Sequence, residues 1–420
     1  MSNKQTASLP LHQLDIEKIS KETGITYEDV QVAAIKEAVR SKVMVLTGGP
    51  GTGKTTTTLG IIAALEAMEL EILCAAPTGR AAKRMSEATG KEAKTIHRLL
   101  EFNPAEGYGR NDENPLDGDV LIVDECSMID ILLMHSLLKA VPAKMRLILV
   151  GDIDQLPSVG AGNVLRDIID SGAVPVVRLT RIFRQALTSR IVTNAHKVNR
   201  GEFPDTTNGR DSDFFFIEQT DPEQAAAEIV NIVRNRIPKA YGYSTNDIQV
   251  LVPMRKSAIG AIPLNAALQQ AINPVGDAID TGVFRYRVGD RVMQIKNDYD
   301  KGVFNGDIGF VEALDMEERT LSVRFDTELV EYESGDFSEL TLAYACTIHK
   351  SQGSEYPVVV MPIMTVNYIM LQRNLVYTGI TRAKRLCIVI GEKKALAMAV
   401  CNQTVLKRNT RLKERLNSNN

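Results

Sequence analysis

The chain is 420 residues long, 44% hydrophobic and 24% charged, with a formal net charge of −3. That length supports two or three domains with cores of their own, and the composition is that of an ordinary soluble globular protein. The near-neutral balance excludes binding to a polyanion through bulk charge, so a nucleic-acid partner requires a local basic groove.

The first ten residues are polar and lack an apolar h-region, so no signal peptide is expected. No apolar run approaches the ~20 residues of a membrane helix, so no membrane partner is expected. The five cysteines contain no C-x-x-C pair, and Cys74, Cys126 and Cys387 sit in or beside apolar runs. That usage suits small buried residues in a reducing cytoplasm and argues against a zinc site.

The first half of the chain alternates short apolar runs with helical patterns. Residues 43–47, 71–76, 120–123, 147–150 and 174–179 read as strands, and the alternation predicts βαβ units with helices on both faces of a parallel sheet. Between the first strand and a helix expected over 56–69 lies Thr47-Gly48-Gly49-Pro50-Gly51-Thr52-Gly53-Lys54-Thr55-Thr56. It contains G-x-x-x-x-G-K-[ST], the phosphate-cradling loop of nucleoside triphosphatases. Glycines let backbone N–H groups converge on phosphate with no Cβ in the way, and the helix N-terminus adds partial positive charge. Lys54 is expected to reach the β- and γ-phosphates of ATP, and Thr55 to place its hydroxyl on Mg²⁺.

Residues 101–117 break the rhythm with Pro104, Gly107, Gly109, Asn111, Asn114 and Pro115, which predicts a loop or short hairpin. The next strand, 120–123, ends in Asp124-Glu125. Asp124 is the candidate Mg²⁺ ligand, and Glu125 the candidate general base for the attacking water. Gly151-Asp152-Ile153-Asp154-Gln155 closes a further strand, and Gln155 can supply the hydrogen bond of a γ-phosphate sensor.

A second unit is expected from about Arg181, with strands at 248–252, 343–347, 358–361 and 386–390. Residues 284–342 differ in texture, with short strands and frequent turns, and read as an inserted small antiparallel barrel or sheet. Arg184 and Arg382 are candidate sources of positive charge for the γ-phosphate in the transition state. Carried on a second lobe, they would make hydrolysis depend on lobe closure. Residues 401–420 carry Lys407, Arg408, Arg411, Lys413 and Arg415, a pattern that more often marks a solvated face than a nucleic-acid contact.

From about Thr26 to Gly391 the order of these motifs resembles the superfamily 1 DNA helicases of the RecD-like group, which also includes the phage Dda helicase. Gly48–Thr56, Asp124–Met128, Gly151–Pro157, Phe183-Arg184-Gln185 and Thr378–Lys384 match successive family motifs. Gln31 matches the adenine-reading glutamine. Thr78 in Ala76–Ala82, His97 in Thr95–Leu100, and Arg255 in Val252–Arg255 match nucleic-acid-contacting segments. Thr347-Ile348-His349-Lys350-Ser351-Gln352-Gly353-Ser354-Glu355 matches the segment joining DNA to nucleotide. There Thr347, His349 and Lys350 are assigned to DNA, and Gly353 and Glu355 to the nucleotide.

The resemblance implies an α/β fold of two RecA-like P-loop NTPase lobes, with ATP in their cleft and single-stranded DNA crossing both. The implied division is a 1–25 extension, a first lobe over 26–180, a second over 181–400 and a basic tail over 401–420. The 101–117 excursion becomes a strand-separating pin presenting Phe102 and Tyr108. The 284–342 insertion becomes the barrel-like module of the second lobe. Two features depart from the pattern: Cys126 stands where alanine or valine is usual, and with no tryptophan any base stacking falls to Phe, Tyr or His.

The implied activity is an ATP- and Mg²⁺-dependent DNA helicase that translocates 5′ to 3′ on single strands. Its implied partners are single-strand/duplex junctions and replication or recombination proteins. An RNA helicase, and a DNA-dependent ATPase that remodels protein–DNA complexes, are the alternatives. A bare nucleotide switch is disfavoured by the hydrolytic set of Glu125, Arg184 and Arg382.

Overall fold

The computed structural model describes residues 14–418 except 185, 299, 327 and 405–407; the expectations for residues 1–13, Gln185 and Lys407 lie outside the described residues. The chain forms two compact units. One holds the residues up to Leu187 and the C-terminal stretch, and the other is Thr188–Thr404. Arg181 and Arg184 therefore belong to the first unit, beyond the boundary expected at 180.

The first unit is built on a six-stranded sheet in the order Ala93–Thr95, Ile72–Ala76, Val120–Val123, Arg146–Gly151, Val43–Gly48, Val176–Leu179, parallel throughout. Its central strands are continuous apolar runs because both faces are covered. Successive side chains serve opposite cores. Met44 and Leu46 pack with Ile35, Ile61 and Leu65 from the helices Asp29–Arg40 and Lys54–Glu66. Val45 packs instead with Met134, Leu137, Leu165 and Ile168 from Ile131–Ala140 and Val164–Ser171. Register then places the site: Thr47 pairs with Gly151 and Val123 with Leu149, so Gly48, Asp124 and Asp152 leave the sheet at one edge.

Part of the expected 1–25 extension belongs to this unit. The helix Ile16–Thr23 is capped by Asp15, whose side chain accepts from the Lys18 N–H at 3.0 Å, and it buries Ile19 in the core. The C-terminal helix Leu412–Ser418 returns to the same unit, with Leu412 and Leu416 against the Val164–Ser171 side of the core. Arg408 Nη1 lies 2.7 Å from each of the carbonyl oxygens of Ser158, Gly160 and Gly162. The basic tail is thus tied down at Arg408, where composition alone suggested a solvated face.

The 101–117 excursion is a hairpin whose strands Phe102–Asn103 and Gly107–Tyr108 pair Phe102 with Tyr108. Beyond its tip the chain turns back on itself, with Arg110 N–H donating to the Leu100 carbonyl at 3.0 Å and Asn111 N–H to that of Asn114 at 3.0 Å.

The second unit holds a five-stranded parallel sheet in the order Ala345–Thr347, Ile248–Val252, Tyr356–Ile363, Ala383–Gly391, Phe214–Glu218. The insertion begins earlier than position 284, with the hairpin Ala278–Asp280 and Arg285–Arg287. It continues as a five-stranded antiparallel sheet: Glu328–Tyr332, Thr320–Phe325, Ile308–Asp315, Arg291–Gln294, Leu340–Leu342. Buried tyrosines fasten it, Tyr286 Oη to the Leu340 carbonyl at 3.0 Å and Tyr332 Oη to Gln294 Oε1 at 2.8 Å. Among the described residues no helix is long and apolar enough to cross a membrane.

Candidate nucleotide and nucleic-acid sites

The phosphate loop is shaped by its glycines. Gly51 and Gly53 take φ of +71° and +80°, a region L side chains avoid, and a Cβ at Gly53 would collide with the Phe183 ring and come within 2.8 Å of Gln31 Nε2. Thr52 Oγ1 donates to the Gly49 carbonyl at 2.7 Å, and Lys54 Nζ donates to the Gly48 carbonyl across the loop. Thr55 is exposed in the first turn of the helix Lys54–Glu66, where the free N–H groups gather. Gln31 is buried behind the loop: its Nε2 donates to Thr57 Oγ1 at 3.1 Å, and its Oε1 accepts from the Glu28 N–H at 3.0 Å. The Phe183 N–H donates to the Gly51 carbonyl at 3.0 Å, which brings the exposed Arg184 to the loop within the same unit. Arg184 therefore lies in the first unit, next to a residue bonded to the loop, and not on the second lobe to which the sequence assigned it.

Asp124 and Glu125 leave the neighbouring strand end. Burial raises the Asp124 carboxyl above its ordinary range, the Glu125 charge adds to the rise, and Arg84 and Lys54 oppose it. Glu125 is itself buried, with φ +53°, and is ion-paired with Arg84 of the helix Gly79–Thr89. Gln155 is held by Asp152, its Nε2 donating to Asp152 Oδ2 at 3.2 Å. Arg84, Asp152 and Phe183 were not singled out as site residues in the sequence reading. Arg84 pairs across 41 positions, and no local pattern announces that.

Thr78 caps the Gly79–Thr89 helix, accepting from the Ala81 N–H at 3.3 Å. His97 lies at the root of the hairpin, 5.6 Å from the Phe102 ring and 6.0 Å from Tyr108, and those two rings are 4.8 Å apart. Burial lowers its pKa, which favours the neutral ring. His97, Phe102 and Tyr108 thus form one aromatic cluster at the hairpin base.

In the second unit Thr347 lies beside Val252 in the sheet, so Arg255 and Lys350 leave adjacent strands. Burial lowers the Lys350 pKa and the Arg255 charge adds to this, while Lys350 Nζ donates to Asn305 Oδ1 of the insertion at 2.6 Å. Thr347 caps the following turn, and His349 follows it. Gly353 turns with φ +74°, and Glu355 pairs with Lys384 at 3.3 Å. Arg382 is almost fully buried; Nη1 donates to the Ser354 carbonyl at 3.1 Å, while Nε has no hydrogen-bond partner.

Three family models match this chain: the AAA domain over residues 31–161, the ATP-dependent RecD-like DNA helicase SH3 domain over 264–325, and the UvrD-like helicase C-terminal domain over 342–390. The ATP-dependent RecD2 DNA helicase of Deinococcus radiodurans is 39% identical over 92% of this chain, which spans 52% of that protein. The RecBCD enzyme subunit RecD of Mycobacterium tuberculosis is 32% identical, over 90% of this chain and 71% of the subunit. Among solved structures, the Bacteroides Pif1 helicase in complex with ADP-AlF3 and ssDNA matches with a TM-score of 0.51, at 19% identity and 97% coverage of both chains. That likeness extends to the fold.

Proposed function

Because the chain belongs to the RecD-like helicases of superfamily 1, we propose that it couples ATP hydrolysis to 5′-to-3′ movement along single-stranded DNA and splits duplexes at single-strand junctions. The observation that carries the reading is the convergence on one sheet edge of the phosphate loop, the Asp124-Glu125 pair and the Asp152-held Gln155. The Deinococcus relative is named a DNA helicase, and the Pif1 structure holds a nucleotide analogue together with ssDNA. This chain spans about half of the Deinococcus protein, so the proposal concerns only the parts it contains.

The residues fit Mg²⁺. Asp124 is a half-buried carboxylate next to a second one, and a cation would offset their repulsion; the Thr55 hydroxyl is exposed in the first turn of the helix Lys54–Glu66. When bound, the ion would neutralise charge on the β- and γ-phosphates. Lys54 supplies a further positive charge there. Glu125 takes the proton of the attacking water, and Gln155 orients it. Arg184 and Arg382 stabilise charge that develops on the γ-phosphate. Arg382 is buried with Nη1 on the Ser354 carbonyl, so this role requires the guanidinium to give up that bond. Gln31, Gly353 and Glu355 complete the nucleotide set.

On the nucleic-acid side, Thr78, Arg255, Thr347, His349 and Lys350 contact phosphate, which carries no sequence code. His97 seats the pin. The RecD similarity also motivates a recombination-protein partner. The test is steady-state ATPase with Mg²⁺ and single-stranded DNA, RNA or no polymer. Strong stimulation by DNA alone is expected, whereas equal stimulation by RNA would favour the RNA-helicase reading.

A further inference from the structure

The Gly79–Thr89 helix links the two chemistries of the first unit. Its N-cap is Thr78, a candidate phosphate contact, and one and a half turns on it presents Arg84 to Glu125. The helix rests at the rim of the sheet. Ser86 Oγ accepts from the Ala93 N–H at 2.8 Å, and the strand Ala93–Thr95 pairs on one side only. The chain then passes directly into the Ile96–Leu99 turn that carries His97. The helix itself is anchored by buried Ala81, Ala82 and Met85, the last in one core with Ile61 and Leu65, so the part that can yield is the Arg84 side chain, which a phosphate at the helix N-terminus would attract.

The pair itself is secluded: the Arg84 side chain is 26% exposed and that of Glu125 9%. A carboxylate oxygen engaged by a guanidinium does not have the same lone pair free for a water proton, and a charge-assisted pair in such surroundings is a strong restraint. The contact also fixes the direction in which Glu125 points from its left-handed backbone at φ +53°.

We propose that Arg84 is a positioning residue: it holds the Glu125 carboxylate in an ion pair, off the reacting water, until a nucleic-acid phosphate engages the helix N-terminus at Thr78 and draws Arg84 away. Stimulation of hydrolysis by single-stranded DNA then arises partly within the first unit, through one helix. The inference rests on the reading of Glu125 as general base, and the experiment separates the two.

The full chain is assayed for ATPase with and without oligo-dT as wild type, Arg84→Gln, Arg84→Lys, Glu125→Gln and the double variant Arg84→Gln/Glu125→Gln. Removing one charge-assisted restraint should raise DNA-free kcat roughly fivefold or more. The KM for ATP and the DNA-stimulated kcat should change little, so the stimulation ratio collapses. Arg84→Lys keeps the charge with poorer geometry and should give a smaller rise in the same direction. It is also the variant to read if Arg84→Gln melts early. In the Glu125→Gln background Arg84→Gln should change nothing, a non-additivity that mere destabilisation would not produce. A fall of DNA-free and DNA-stimulated turnover together, or an unchanged stimulation ratio, overturns the role of Arg84. Normal hydrolysis by Glu125→Gln overturns the assignment of the base instead.

Discussion

At the residue scale the proposed function gives binding to the loop and bond cleavage to its acidic partner, and substitution should separate the two. Lys54→Ala removes the charge proposed to meet the β,γ-phosphates, so hydrolysis should be abolished with the fold intact. Retained turnover with normal Mg²⁺ dependence would refute the loop assignment. Glu125→Gln keeps size but loses the base, so ATP should still bind while kcat falls roughly 10²-fold or more. A loss of nucleotide binding would make Glu125 structural. Arg382→Ala deletes a buried guanidinium already bonded to Ser354, so some loss of stability is expected alongside a loss of DNA-stimulated turnover. Unchanged stimulation would show that the γ-phosphate receives no charge from Arg382. The convergence of the loop holding Lys54 and Thr55 with Asp124 at one sheet edge was legible because phosphate chemistry demands fixed residue types at fixed spacing beside a strand. Arg84 was not, because a pair formed across 41 positions is set by the fold, not by a local pattern.

At the element scale the hairpin is the sharpest separator of a translocase from a duplex-splitting enzyme. The proposed wedge needs bulk, and the hairpin supplies it: the Phe102–Tyr108 pair, His97 against both rings, and Arg110 Nε on Glu101 Oε1 at 2.8 Å. Replacing residues 102–112 by a short Gly-Ser turn leaves the strand that ends before Asp124 intact. Single-strand-stimulated ATPase should therefore persist while unwinding of tailed duplexes collapses; unwinding at the unmodified rate would make the hairpin dispensable and move strand separation to the antiparallel insertion. The C-terminal stretch makes a second element-scale claim. Arg408→Ala removes a shared donor from the carbonyls of Ser158, Gly160 and Gly162, and the Ser158 hydroxyl still reaches only the last two, so the cost is about 1–3 kcal/mol. A lower Tm by thermal denaturation checks it, and an unchanged Tm would show the contact to be without weight. The hairpin was legible as a break in the βαβ rhythm. The edge strand Ala93–Thr95 was not, because three residues with a lysine at the centre show neither alternation nor an apolar run.

At the scale of the whole molecule, two parallel sheets were legible from alternating apolar runs, and the insertion from its change of texture. The unit boundary was less so, because the link through Arg184 carries no composition shift and lies in the first unit, where the Phe183 N–H donates to the Gly51 carbonyl. Charge at this scale yields the last prediction. With a net charge of −3 the chain has no bulk attraction for a polyanion, so the proposed affinity for single-stranded DNA rests on a few local groups such as Arg255 and Lys350, whose positive charges oppose one another. Each phosphate neutralised on a single strand contributes a slope of about −0.7 to log K against log salt. A handful of contacts therefore predicts a clear but shallow slope, with dT, dA and mixed oligomers of equal length binding within a few-fold of one another, because phosphate contacts read no bases. Arg255→Ala should lower affinity uniformly across these sequences and reduce the slope by about 0.7, one contact's share. Fluorescence anisotropy over a salt series measures both quantities. A strong base preference that survives at high salt would place the recognition in base-edge contacts, and an unchanged slope in Arg255→Ala would remove that residue from the DNA path.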